Sequence, residues 1–228
     1  MNTGISPILL KRQYRCHPVL GSLASDLFYD SKLVNGVSEE KRSPLVKGWP
    51  PLLFFDISGA GARETVQDSG SFVNVQEALF ITWLANALVS NGVSCKQIGI
   101  ICLYKAQAFH VQTLLHQSDS SSAHSIQVST VDAFQGGERE IVLVSSCRTQ
   151  SLGFIASPNR MNVAITRSRR HLVIVGCKRT LPQNEHWRLI LERASSLPGG
   201  YRDSCEYQMS NDIEILDGVE SGILLLEL

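Results

Sequence analysis

Residues 159–176 read NRMNVAITRSRRHLVIVG, a polar, arginine-bearing stretch that runs straight into an apolar, β-branched one. This order predicts a helix over 159–166 and a strand over 172–177. At about 100° per residue, seven positions nearly complete two turns, so Arg160 and Arg167 fall on one helical face. Ala164 lies between them, while Met161 and Ile165 point roughly the other way. Such a helix docks its Met/Ile side on a sheet and aims two guanidiniums outward, the small Ala164 keeping that face open. The planar donor fork of arginine suits a phosphate or carboxylate target. An amphipathic helix with a solvated basic face would carry the same pattern.

Outward from this stretch, apolar runs alternate with helical patterns. Strands are expected at 52–56 (LLFFD), 98–103 (IGIICL), 126–130 and 140–147 (EIVLVSSC), and helices from Pro18, over 73–92, 106–117 and 181–194. Continuous apolar strands separated by helices indicate a parallel sheet covered on both faces. The fold class is therefore α/β, a single doubly wound domain over 1–198 followed by an acidic tail over 199–228. Residues 31–51, punctuated by Asn35-Gly36, Pro44, Gly48 and Pro50-Pro51, read as a long surface excursion, and 58–71 as a polar loop.

The 228 residues, 43% apolar and 18% charged, describe an ordinary globular chain with material for a sizeable core. Net charge is zero but unevenly placed. Residues 201–228 hold seven acids against Arg202, which leaves the remainder with six more basic than acidic residues. A mildly basic body fits a phosphate-bearing partner. The six cysteines form no C-x-x-C pair and three sit in or beside apolar runs, which argues for a reducing, intracellular setting. No metal-ligand spacing, secretory signal or membrane-length apolar run is present.

Ligands of open parallel sheets bind beyond the carboxyl ends of the strands. LYKAQ (103–107), STVDAFQGGERE (129–140) and the 159–167 helix all follow strands, and QYRCHP (13–18) puts Gln13 and Arg15 on one side if extended. Each admits a plainer role: a tight turn at Gln135-Gly136-Gly137, a strand cap at Tyr104, surface ion pairing at Arg15, a solvated acid at Glu138. Asp132 reads as a loop aspartate bonding nearby backbone. The phosphate-cradling loop G-x-x-x-x-G-K-[ST] and the elbow G-x-S-x-G are both absent, so nothing in the chain looks able to break a bond unaided.

Taken in order, QYRCHP, LYKAQ, VSTVDAFQGGEREIVLVSS and NRMNVAITRSRRHLVIVG resemble the second motor domain of superfamily 1B helicases of the nonsense-mediated-decay group, over roughly residues 9–190. Within that group the chain is most similar to the vertebrate helicases that carry a GRF-type zinc finger. The resemblance implies a RecA-like fold, ATP-driven 5′ to 3′ translocation on single-stranded nucleic acid, and a nucleotide cleft shared with a first RecA-like motor domain. That other domain would hold most of the magnesium accompanying ATP. By the same resemblance, Arg15 and Arg167 reach the γ-phosphate as catalytic arginines. Tyr14 packs on the base, Glu138 approaches the sugar, and Gln13 and Arg160 join the ATP-binding set. Tyr104, Gln107, Thr130, Gln135 and Gly136 face the nucleic acid. Cys102-Leu103 depart from the Thr-Pro that the family commonly has before the tyrosine, and Cys16 stands where it commonly has Met. DNA is favoured over RNA, with a nuclear role in DNA repair. The alternative is a non-catalytic truncated module that binds nucleic acid or a partner.

Overall fold

The computed structural model describes residues 10–118, 120–134, 136–210 and 213–214. In chain order these form β1 (Arg12–Gln13), α1 (Pro18–Phe28), β2 (Val34–Asn35), β3 (Leu52–Asp56), β4 (Thr65–Val66), β5 (Phe72–Val73), α2 (Val75–Ser90), β6 (Ile98–Cys102), α3 (Lys105–Gln117), β7 (Gln127–Thr130), β8 (Arg139–Ser145), α4 (Pro158–Ile165), β9 (Ser168–Gly176), α5 (Glu185–Ser196), β10 (Tyr201–Asp203) and α6 (Ser204–Ser210). Six strands make one sheet in the order β10-β3-β9-β8-β6-β7, every neighbouring pair parallel. The expected RecA-like α/β architecture is present.

Side-chain alternation along the strands explains the layering. Leu53, Phe55, Ile100, Leu143, Val173 and Val175 pack with residues of α2 and α3, whereas Leu52, Phe54, Ile101, Val142, Val144, Leu172 and Ile174 pack with those of α1, α4 and α5. Both faces are thus buried, which is why the strands read as unbroken apolar runs. The helix starts are written locally. The Asn74 side chain accepts from Glu77 N at the head of α2, Asn184 does the same for Trp187 N in α5, and Pro18 opens α1 after a capping His17.

Three expectations need correction. Residues 31–51 are no mere surface excursion: Leu45, Val46 and Trp49 are buried, with the Trp49 indole donating to Tyr207 Oη at 2.9 Å. The 58–71 stretch contains half of a hairpin, since β4 pairs antiparallel with β5. The domain does not end at 198, because β10 adds to the sheet edge beside β3 and α6 buries Tyr207 against Phe55. Three polar-looking residues, Tyr201 to Asp203, complete an edge that their composition does not advertise. The tail expected over 199–228 otherwise lies largely outside the described residues.

Candidate functional site

The 13–17 turn is held by Gln13. Its Oε1 accepts from the backbone N–H of Arg15 and of Cys16, both at 2.9 Å, and its Nε2 donates to Asn35 Oδ1 at 2.7 Å. Arg42 adds donations to the carbonyls of Arg15 and Tyr14. With the backbone pinned, Tyr14 stands 62% exposed, its ring lying where a Cβ on Gly36 would clash at 2.4 Å. Burial pushes the Cys16 thiol up to about 11, so it remains a small uncharged filler whose Sγ donates to Thr166 O.

Arg15 then reaches two other elements. Its Nε donates to Glu138 Oε2 at 2.6 Å, and its Nη1 to Thr166 O at 3.2 Å. Arg167 sits at the junction of α4 and β9, its Nη1 donating to Gly137 O at 3.4 Å. Its Nε is buried without a partner among the described residues. Burial and then the nearby Arg15 charge lower its pKa, so two like charges are held close together, with Glu138 near enough to offset part of their repulsion. Arg169 lies 4.0 Å from Glu138 and 3.1 Å from Glu140, and Arg170 lies 2.8 Å from Glu140. Arg42 carries a pKa lowered first by burial and then by Arg169. Five arginines therefore crowd two glutamates, an electrostatic setting short of anions. A cavity of about 220 Å³ opens beside Arg15, Cys16 and Thr166.

This cluster lies at the amino ends of β8 and β9, not at the carboxyl ends where ligands of open sheets were expected. The reason is the path of the 131–138 segment. It leaves β7 at Thr130, at the carboxyl edge level with Ser145, and returns to start β8 at Arg139. Those ends are about 20 Å apart. Phe134, fully buried, anchors the segment over Gly99, where an added Cβ would come within 2.7 Å of the ring. Thr130 is half-buried, with Oγ1 accepting from Ala133 N, and Gly136 is exposed at φ +84. Gln135 lies outside the described residues.

Of the residues picked out from sequence, Gln13, Tyr14, Arg15, Glu138 and Arg167 come together, and others do not. Arg160 shares no face with Arg167, because α4 stops at Ile165; it reaches Asp132 Oδ2 at 3.3 Å instead. That pairing also gives Asp132 a side-chain partner in place of the expected backbone one. Ala164 is buried in the core with Met161 and Ile165, so it keeps nothing open. Tyr104 is only 2% exposed, its hydroxyl accepting from Arg148 at 3.0 Å. Gln107 is wholly buried and bonded to the Asn74 backbone and Ser145 Oγ. Neither side chain can grip a strand from there. Arg42, Arg169, Arg170 and Glu140 went unread; the E-R-E and R-S-R-R runs at the heads of adjoining strands were the available signal for all but Arg42. Among the described residues, no three His, Cys, Asp or Glu side chains converge to hold a metal, and no helix is long and apolar enough to cross a membrane.

Comparison with known sequences adds ancestry. The profile of a family described as AAA domain matches residues 1–179. The chain is 44% identical over 212 residues to the 5′-3′ DNA helicase ZGRF1 of Mus musculus, covering 91% of this chain and 11% of that protein. It is 35% identical over 206 residues to regulator of nonsense transcripts 1 of Caenorhabditis elegans, covering 85% and 19%. With the ATP-dependent helicase NAM7 of Saccharomyces cerevisiae it shares 34% over 203 residues, covering 84% and 21%. The chain spans between about a tenth and a fifth of the length of these relatives.

Proposed function

Because the chain belongs to the AAA domain family and is a superfamily 1 helicase-type domain, we propose that it is the C-terminal motor lobe of an ATP-dependent 5′-3′ helicase. The lobe runs to the end of α6 and works with a preceding RecA-like lobe that supplies the phosphate-cradling loop. The observation that carries this reading is the gathering of Arg15, Arg167 and Glu138 at a half-exposed opening. Two guanidiniums close enough to repel each other fit a triphosphate held mainly by another domain. Bound ATP with magnesium supplies the phosphoryl group to be transferred to water. Arg15 and Arg167 would stabilise charge spread over its terminal oxygens, Tyr14 would offer its exposed ring to the base, and Glu138 would stand near the sugar.

Single-stranded nucleic acid is the track, DNA by closeness to a named DNA helicase, in a nuclear repair setting. Thr130 and the Gly136 turn would contact its backbone, which carries no sequence information and so suits a translocating motor. Arginines that reach the nucleotide only when two lobes close tie hydrolysis to lobe motion.

The test combines the purified chain with its preceding lobe. Strand-stimulated ATP hydrolysis is expected from the mixture and not from the chain alone. Arg167→Ala should lower turnover by about 10³–10⁵-fold, the usual size of an arginine-finger effect. Hydrolysis by the isolated chain, or a mixture indifferent to Arg167→Ala, would overturn the reading. Strand binding without restored hydrolysis would favour a non-catalytic module.

A further inference from the structure

The pose of Tyr14 and Arg15 is set by the segment that follows α1. In that segment β2 runs parallel to β1 with Asn35 opposite Gln13, Gly36 N donates to Gln13 O at 2.8 Å, and a single helical turn, Glu40–Arg42, follows. Two side chains hold the main chain from 14 to 16. Gln13 Oε1 accepts from the N–H groups of Arg15 and Cys16, and its Nε2 donates to Cys16 O at 3.0 Å. The Arg42 guanidinium takes the carbonyls before them, its Nε donating to Arg15 O at 2.8 Å and its Nη2 to Tyr14 O at 3.0 Å. Its Nη1 donates to Lys41 O, so among the described residues its side-chain hydrogen bonds all end on main-chain oxygens and none on an acid. A planar fork on two successive carbonyls fixes the orientation of the chain as well as its place.

Gly36 acts on the ring instead. It is not among the glycines at positive φ, so its backbone would accept other residues. What bars a side chain is Tyr14: an added Cβ would lie 2.7 Å from Cδ1 and 2.9 Å from Cζ, and closer still to Cε1. One edge of the ring therefore rests on a bare Cα, while the residue stays 62% exposed. Gly21 makes similar room on α1, where an added Cβ would come within 2.5 Å of Gln13 Nε2 and also meet Asn35 Oδ1. A glycine inside a helix is destabilising relative to alanine, and here its missing side chain admits the Gln13–Asn35 bond.

We infer that Arg42 and Gly36 are positioning residues of the nucleotide site: Arg42 sets the main chain from which Arg15 reaches the γ-phosphate, and Gly36 seats the Tyr14 ring for the base. The inference rests on the motor reading above and adds what aims two of its nucleotide contacts. The two roles have separable signatures. A transition-state contact works in one placement, and an error of about 1 Å costs about 10²-fold in rate. A ring on a base binds ground state and transition state alike, so disturbing it acts on KM.

The experiment measures strand-stimulated ATP hydrolysis by the full chain mixed with its preceding lobe, with melting curves read alongside. Arg42→Ala should lower kcat by about 10²-fold and change KM for ATP far less. Arg42→Lys should fall nearly as far, since a point-like ammonium offers no planar fork, and it serves where the alanine variant does not fold. Gly36→Ala should raise KM by about five- to 150-fold, the loss when an aromatic ring is taken off a base, and change kcat far less. The exposed ring can swing aside for the new methyl group, so the fold survives this change. Pairing decides the matter. Arg42→Ala added to Arg15→Ala, and Gly36→Ala added to Tyr14→Ala, should cost nothing further, whereas a merely structural role would add its own loss. A working wild-type mixture in which both pairs are additive overturns the positioning roles and leaves the motor reading intact. Additivity in one pair removes that residue's role. Absence of hydrolysis by the wild-type mixture overturns the positioning roles and the motor reading together.

Discussion

Arg15 and Glu138, 123 residues apart in sequence, are joined by a 2.6 Å ion pair. Both side chains are more than a third exposed, so the pair contributes at most about 1 kcal/mol to stability. Its role is placement: Glu138 holds a guanidinium that Arg167 repels. Glu138→Gln should therefore change the unfolding free energy in urea by less than about 1 kcal/mol. Arg15→Ala should leave the melting temperature nearly unchanged, yet lower ATP turnover of the two-lobe mixture by at least about 10³-fold. A collapse of stability in either variant would mean that the pair is a structural clasp instead.

The Glu64–Arg148 pair is the reverse case. Both partners are buried, so removing one strands the other's charge. Arg148→Met should cost about 3–5 kcal/mol in urea denaturation, and Glu64→Gln/Arg148→Met should recover part of that loss. A double variant as unstable as the sum of the singles would deny the coupling.

Two buried groups give opposite pH signatures. His171 accepts from Leu45 N at Nε2 and bonds Pro50 O through Nδ1, a neutral arrangement; burial lowers its pKa to about 4. Its contribution is fully present above the unfolded value near 6.5 and is lost as pH falls from there towards 4. The loss is on the order of 3 kcal/mol. His171→Gln should flatten that limb of the stability profile, and an unchanged acid limb would rule His171 out as its source.

Glu77 behaves the other way. Burial raises its pKa to about 7, against the donations that Oε1 receives from Ser145 Oγ and Cys147 N, while Oε2 has no partner among the described residues. Its stabilising contribution is complete below about 4.5 and is lost as pH rises through 7. In Glu77→Gln the amide keeps the accepting oxygen. The variant should gain on the wild type by a few kcal/mol between pH 4.5 and 7, order of magnitude only. Calorimetry at pH 5 and pH 8 measures the difference; a gap of the same size at both would refute the assignment.

Gly99→Ala tests how the core positions the site. The new methyl group would meet Phe134 and Arg139, so overpacking should cost about 1–3 kcal/mol. Because Phe134 anchors the segment bearing Glu138, turnover of the two-lobe mixture should fall as well, although Gly99 lies outside the site. Unaffected turnover would mean that the segment is held elsewhere.

The parallel sheet was legible because buried strands leave unbroken apolar runs, and LLFFD matches β3 residue for residue. That Tyr14, Arg15, Glu138 and Arg167 would gather in one place was legible because their neighbours repeat a family pattern. Tyr104 and Gln107 misled for a physical reason: what covers them is the β4–β5 hairpin and the loop after β8, and no local pattern announces that cover. Arg160 misled because a seven-residue helical spacing was applied across a helix end that falls two residues before Arg167. Edge strand β10 is short and half-buried, and carries no hydrophobic run to mark it.

The passage from Thr130 to Arg139 is anchored in the core by Val131 and Phe134. If Thr130 meets the polymer and Glu138 the fuel, as proposed above, a pull on one end would reach the other through these two anchors. Chemistry and traction in such a machine would need no relay through the rest of the fold.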